Sequence, residues 1–351
     1  MRLRPIAAVL SLAATSAVAA ERGTEGLSFS HHSWELACDN TRTCRAAGYT
    51  AEDDGTGYGA SVLLTRKAGP GQPLAGELRL SDWNEDDVVP KLPLRLYIDR
   101  RDHGPVPVPA TADAEPRAGL SSAQMQALQA ALRRDSEIVF MDAGQRRWPL
   151  SGDGASAVLL KMDEFQGRLG TPGALVRKGD GDESKVLPAL PAPRVRLVAV
   201  AAARDDDARL ATVPALRQAL RASLGADQDC SGLNPGEDEA PLRIERLSAH
   251  RVLASTPCWM GAYNIGTGYW VVEDRAPYRA EAVTLDAVDY ADGRIFAAQK
   301  GRGLGDCFWS AEWVWDGQRF VQTLEQTSGM CRGIAGGGPW SLPTRVAEVV
   351  E

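Results

Sequence analysis

Six cysteines constrain this chain more than any other feature: Cys38, Cys44, Cys230, Cys258, Cys307 and Cys331. All six follow a leader. Residues 1–20 open with Arg2 and Arg4, continue through an apolar run from Ile6 to Ala14 and end on the small-x-small site Ala17-Val18-Ala19. That order of regions reads as a secretory signal peptide, cleaved after Ala19 or Ala20, and it places the mature chain in the periplasm. The apolar run falls short of the roughly 20 residues that span a bilayer. No Cys stands at the cleavage point to take a lipid anchor, and no later stretch has membrane length. An even number of cysteines in an exported chain implies disulfides. Proximity favours Cys38–Cys44, Cys230–Cys258 and Cys307–Cys331. The two longer loops would each stabilise the fold by roughly 2–4 kcal/mol through the unfolded chain. No CxxC or HExxH is present, and the four His (His31, His32, His103, His250) lack ligand spacing, so no metal is expected.

The rest of the composition sets the class. With 351 residues, 44% of them hydrophobic, the chain can form a core and has room for two domains. The net charge of −7 argues against a nucleic-acid binder, which needs basic surface to displace counterions. Period-two alternation marks strands at Ser61–Arg66, Leu78/Leu80, Leu94/Leu96/Ile98, Glu137–Met141 and Arg147–Leu150. Ser121 to Gln124 forms a capping box ahead of Met125, Leu128 and Leu132. Ser151 is expected to cap a second helix with Val158, Leu159 and Met162 on its face. Residues 27–170 therefore read as a β-sandwich-like domain with one or two helices.

Residues 171–229 read as a Gly-, Pro- and charge-rich linker with one helix. Asp205-Asp206-Asp207 is expected to start that helix rather than to bind a metal. Residues 230–351 read as a Trp-rich antiparallel β meander. Asp292-Gly293 and Asp316-Gly317, each flanked by apolar residues, predict type I′ hairpins. The fold class is mainly β, stabilised by disulfides.

Motifs for chemistry are sparse. There is no G-x-S-x-G, Walker or S-x-x-K motif. The glycines around Gly55-Thr56-Gly57 and in Gly301-Arg302-Gly303-Leu304-Gly305 read as turns, so no cofactor is expected. The Gly301 loop is the more informative. It places Arg302 near Asp306, with Glu312 beyond, and a Cys307–Cys331 bridge would bring Arg332 close. One reading is a polar pocket for an anionic or sugar ligand. The other is an internal Arg–Asp pair that holds the loop. Trp309, Trp313 and Trp315 share a strand face, which either stacks on a ligand or fills a core.

The segments Trp34 to Tyr49, Cys258-Trp259-Met260-Gly261-Ala262-Tyr263-Asn264, Gly301 to Cys307, Trp315-Asp316-Gly317 and Cys331-Arg332-Gly333 resemble, in order, the signatures of the domain of unknown function 1176 family of exported bacterial proteins. The resemblance implies export and disulfides and carries over no activity. Trp34, Cys38, the strand at Leu94–Ile98 and residues 139–160 are similar to the invasion-associated locus B proteins, which implies a β-sandwich at the N-terminus. The function expected is a non-enzymatic binding or envelope-maintenance module acting on peptidoglycan, a glycan or another exported protein. The alternatives are an envelope hydrolase using Asp306 and Glu312, and an inhibitor or chaperone acting through the Trp face.

Overall fold

Alternating side chains build the N-terminal half. The computed structural model describes residues 25–52, 58–81, 90–107, 117–236 and 239–351. The leader and residues 55–57 lie outside these. The chain runs through β1 (Leu27–His31), β2 (Trp34–Cys38), β3 (Cys44–Tyr49), β4 (Ala60–Arg66), β5 (Leu74–Leu80), β6 (Leu94–Ile98), β7 (Arg101–Val106) and β8 (Arg117–Gly119). Helix α1 (Ser122–Ala131), β9 (Ile138–Met141), β10 (Arg147–Leu150) and α2 (Ala155–Phe165) follow. A six-stranded sheet, β1-β2-β3-β4-β5-β8, stacks on a four-stranded one, β10-β9-β6-β7. Trp34, Leu36, Val62, Leu64 and Leu78 point from the first sheet onto Leu94, Leu96, Phe140 and Trp148 of the second. Met125, Leu128, Val158 and Met162 of the two helices close that core.

The helix starts follow their local chemistry. Ser121 Oγ accepts from the Gln124 amide at 3.3 Å and Gln124 Oε1 accepts from the Ser121 amide at 2.9 Å, so the capping box forms. Ser151 does not cap α2. The N-cap is Gly154, at φ 90°, with no side-chain cap. A Cβ at Gly154 would lie 1.9 Å from the His31 carbonyl oxygen, so only glycine lets the chain pass β1, and the helix starts just beyond it. Ser151 instead donates its amide to the Tyr49 carbonyl at 3.1 Å.

The C-terminal half stacks two sheets. Strand β11 (Arg194–Arg196) is followed by α3 (Asp207–Leu210) and α4 (Pro214–Ala222). One sheet comprises β12 (Arg243–Arg246), β13 (Arg251–Met260), β14 (Ile265–Glu273) and β15 (Glu281–Ala287). The other comprises β16 (Asp289–Ala291), β17 (Arg294–Lys300), β18 (Phe308–Trp315), β19 (Phe320–Thr327) and β20 (Leu342–Val346). The last strand, β21 (Glu348–Val350), pairs in parallel with β11. The middle strands β13 and β14 bury both faces. Val252, Ala254, Trp270 and Val272 meet Leu216 and Leu220 of α4. Leu253, Tyr269 and Val271 meet Ile295, Trp313, Trp315 and Phe320 of the second sheet.

Asp292 (φ 47°) and Gly293 (φ 81°) both take left-handed backbone, as a type I′ hairpin requires. At Asp316-Gly317 only the glycine does, at φ 96°. That hairpin has a longer loop, between the paired Trp315 and Phe320. Asp316 Oδ1 accepts from the amides of Gln318 (2.7 Å) and Arg319 (2.8 Å), which holds the loop in a different turn from the expected one.

Three of the buried arginines, Arg66, Arg168 and Arg246, hold polar groups of neighbouring segments. Arg168, fully buried, donates to the carbonyls of Lys67 (3.1 Å) and Gly69 (2.6 Å) and to Gln166 Oε1 (2.9 Å), and so ties residues 166–168 to the end of β4. Arg66 lies 3.5 Å from Asp163. Burial pulls its pKa down to about 10. The sequence predicts one helix here and the structure has two: Asp207 heads only the short α3, while α4 starts separately at Pro214, and the Asp207 carboxylate pairs with buried Arg246, which reaches Asp274 at 2.8 Å as well. Disulfides join Cys38–Cys44, Cys230–Cys258 and Cys307–Cys331.

The C-terminal chain returns to the first sheet. Ile334, Trp340 and Leu342 pack on Ala37, Ala47, Tyr49 and Leu63, the face of that sheet turned away from the sandwich core. Both faces of β4 are thus covered, in keeping with its uninterrupted Val62-Leu63-Leu64. Asn40 continues the contact by donating to and accepting from the Val346 backbone at 3.0 and 2.7 Å. Among the described residues no helix is long and apolar enough to cross a membrane.

Candidate functional site

The residues singled out in the sequence fall into two places. The first is the loop from Lys300 to Cys307. Asp306 is fully buried there. Arg302 clamps it with two bonds, Nε to Oδ1 at 2.8 Å and Nη2 to Oδ2 at 2.5 Å. The Gly333 amide adds a third at 2.7 Å. Burial pushes the Asp306 carboxyl up, but the Arg302 fork and the amide outweigh it and hold it below the usual carboxylate range. The loop is closed by the Cys307–Cys331 bridge and by the Gly337 amide, which donates to the Gly305 carbonyl at 2.9 Å. A Cβ at Gly301 would lie 2.7 Å from Cys307 Sγ, so the bridge requires glycine at that position. Asp306, Cys307 and Cys331 lie close enough to suggest a metal triad, but both sulfurs are in the disulfide and neither is a free thiolate ligand.

Arg332, one residue past the bridge, reaches Glu52 at 3.1 Å. Two residues upstream of Arg332, the Met330 amide donates to Glu35 Oε1 at 2.7 Å, and Tyr49 donates its hydroxyl to the same oxygen at 2.5 Å. Burial pushes the Glu35 carboxyl above its usual range despite those two bonds. Arg302, Asp306 and Arg332 therefore belong to one polar junction between the two halves. Glu35 and Tyr49 belong to it as well. Sequence reasoning did not single them out, although both lie in the Trp34 to Tyr49 segment.

A carboxyl whose pKa is raised on folding favours the folded state below its unfolded pKa, and that contribution is lost as pH rises through the folded value. Glu35→Gln keeps an Oε1 acceptor and removes the buried charge. Its melting temperature at pH 7.5 is expected to equal or exceed that of the wild type by up to a few degrees, with the gap closing toward pH 4. A clear drop at pH 7.5 would contradict this.

The second place is the inter-sheet core. Trp309, Trp313 and Trp315 do share a face of β18, and that face packs on the sheet of β12 to β15. Trp315 is fully buried, Trp313 is 9% exposed, and Trp309 is half-buried with Nε1 3.4 Å from Glu325. They form core rather than an open stacking platform. Glu312 pairs with Arg294 at 2.5 Å. From Phe308 to Glu312 the strand covers about 13 Å, and Asp306 lies before its start. The two carboxylates are each held by their own arginine and do not form a facing acid–base pair. His31 and His32 are exposed at the end of β1, with His32 3.5 Å from Asp153.

Beside the junction lies an apolar patch. The β13–β14 hairpin ends in the paired residues Met260 and Ile265. Asn264 docks the tip by donating to the Lys300 carbonyl and accepting from the Lys300 amide, both at 2.9 Å. Tyr263 then lies against Gly303, next to Leu304. Met260 (82%), Leu304 (56%), Ile265 (52%) and Tyr263 (46%) stay exposed. Half of the exposed large hydrophobic side chains among the described residues gather here. Scattered exposed apolar residues are ordinary, whereas a cluster marks an interaction surface.

Comparison with known proteins gives a family and no activity. The chain is 26% identical over 338 residues to the "Uncharacterized protein YpfG" of Escherichia coli (strain K12), covering 88% of this chain and 89% of that protein. No solved structure matches it. The sequence profile of the family described as "Protein of unknown function (DUF1176)" matches residues 28–347. The chain belongs to that DUF1176 family.

Proposed function

We propose that the protein is a non-enzymatic binding module of the periplasm, exported by residues 1–20 and cleaved after Ala19 or Ala20, and that it docks another exported protein on Met260, Tyr263, Ile265 and Leu304. The exposed cluster on the hairpin tip and Gly301 loop carries this reading. Its chemistry suits a protein better than peptidoglycan, because an apolar face gains most from apolar side chains. The scaffold beneath supports it: Asn264, the Arg302–Asp306 pair and the disulfide hold the two loops in one arrangement before any partner arrives, which lowers the entropic cost of binding.

The test against an enzyme uses purified mature protein and isolated cell-wall sacculi, followed by co-sedimentation and by mass spectrometry of released muropeptides. The expected result is no release and no pelleting that depends on Tyr263 or Leu304. Release of fragments that stops in Asp306→Ala or Glu312→Ala would overturn the reading.

A further inference from the structure

The two sheets of the C-terminal half part at one end into a groove of about 310 Å³. Its floor is aromatic, made by Trp313 and Phe320, and Val271 and Val283 close its sides. Two β-bulges shape it. Between the pairs Tyr269↔Thr284 and Trp270↔Ala282 the ladder skips Val283, which turns into the groove. Between Glu312↔Leu324 and Trp313↔Gln322 it skips Thr323, just where Trp313 and Gln322 line the opposite wall. Bulges re-aim side chains and gather next to binding sites.

The rim carries opposite charges on opposite walls. Glu281 stands on β15. Its carboxylate has no hydrogen-bond or ion-pair partner among the described residues. Arg319 stands across from it at the β18–β19 turn. Its side chain is 75% exposed and meets Asp316 only at 4.0 Å.

We propose that this groove binds a small zwitterion, a molecule carrying an ammonium group and a carboxylate or phosphate. The ammonium end is drawn to the Glu281 carboxylate. The acidic end meets the Arg319 guanidinium, whose fork matches carboxylate and phosphate. The volume lies at the small end of ligand sites, about 300–1,000 Å³, and suits a free amino acid or a single headgroup. A neutral sugar could hydrogen-bond Glu281 and Arg319 through its hydroxyls but would neutralise neither charge, and a simple cation or anion would leave one of them unpaired. The groove is separate from the Met260–Leu304 patch, so this inference does not rest on the protein-docking reading.

Isothermal titration of the mature chain with O-phosphoethanolamine and glycine tests it. Ethylammonium and inorganic phosphate serve as the single-charge halves. The zwitterions are expected to saturate one site and to bind at least about tenfold more tightly than either half. Glu281→Gln and Arg319→Gln should each weaken that binding by about tenfold or more. Both positions are exposed, so unchanged melting temperatures are expected and separate lost binding from lost fold. Co-sedimentation with phosphatidylethanolamine vesicles distinguishes the sources. Pelleting that Arg319→Gln abolishes identifies a lipid headgroup, and binding of the free zwitterions without pelleting identifies a soluble solute. Affinity no greater than for a single-charge half, affinity unchanged by both substitutions, or no saturable binding in either arm overturns the proposal.

Discussion

Trp340→Ala is expected to destabilise the protein by about 3–5 kcal/mol. The indole is 4% exposed and lies at the centre of the cluster that fastens the C-terminal chain to the outer face of the first sheet. Its Nε1 donates to Ser61 Oγ at 2.7 Å, and the Arg117 guanidinium lies over its ring at 5.5 Å. Removing the ring leaves a cavity between a strand face and a chain segment from the far end of the sequence. The Ser61 hydroxyl keeps its own bond to the Gly48 carbonyl at 2.9 Å, so the loss comes mostly from packing. Trp340→Phe retains most of the volume and loses one hydrogen bond, with an expected cost of about 1–2 kcal/mol. Urea denaturation measures both. Limited trypsin digestion should also cut Trp340→Ala near Arg332 and Arg345 faster than the wild type. A loss below about 1 kcal/mol would mean that this segment does not hold the halves together.

Asp306→Ala is expected to cost about 2–4 kcal/mol. The carboxylate is fully buried and accepts three bonds, so its removal strands the Gly333 amide and the Arg302 guanidinium. Arg302 is 44% exposed and water can take over part of its solvation, which keeps the effect below that of a fully buried pair. The pH dependence has a definite sign. The folded pKa of Asp306 lies below its unfolded value, so the stabilisation is complete above the unfolded value of 3.8 and is lost as pH falls through the depressed folded pKa. The difference between wild type and Asp306→Ala should therefore be constant from pH 5 to 8 and shrink below about pH 4. A difference that instead grows toward low pH would contradict the assigned pair.

Local chemistry was legible in the sequence wherever it is decided by neighbours. The Ser121 capping box, the Asp292-Gly293 turn, the strands at Ser61–Arg66, Leu94–Ile98, Glu137–Met141 and Arg147–Leu150 and the proximity pairing of the cysteines depend on residues close in the chain. The Arg302–Asp306 pair is of the same kind, because a glycine-rich loop folds an i,i+4 pair together. What could not be read depends on distant chain. Period-two spacing puts Trp309, Trp313 and Trp315 on one face, but the β12 to β15 sheet is what covers that face. Glu35 and Met330 meet across 295 positions, so no local pattern marks them as partners. Met260 to Asn264 was recognised as a motif, yet its exposure follows from the docking of Asn264 on Lys300. Ser151 had the right chemistry for a cap and lost to Gly154, because the close approach of β1 decided where the helix begins.

The hairpin tip and the Gly301 loop are proposed as a docking face for another exported protein. Site-specific photo-crosslinking in living cells tests it most directly, with the crosslinker placed at Leu304 and, as a control, at Leu187, which is exposed elsewhere. A discrete protein adduct should form at 304, be absent at 187, and fall by about tenfold or more when Tyr263→Ser is added. Absence of an adduct at 304, or the same adducts at both positions, would contradict the account.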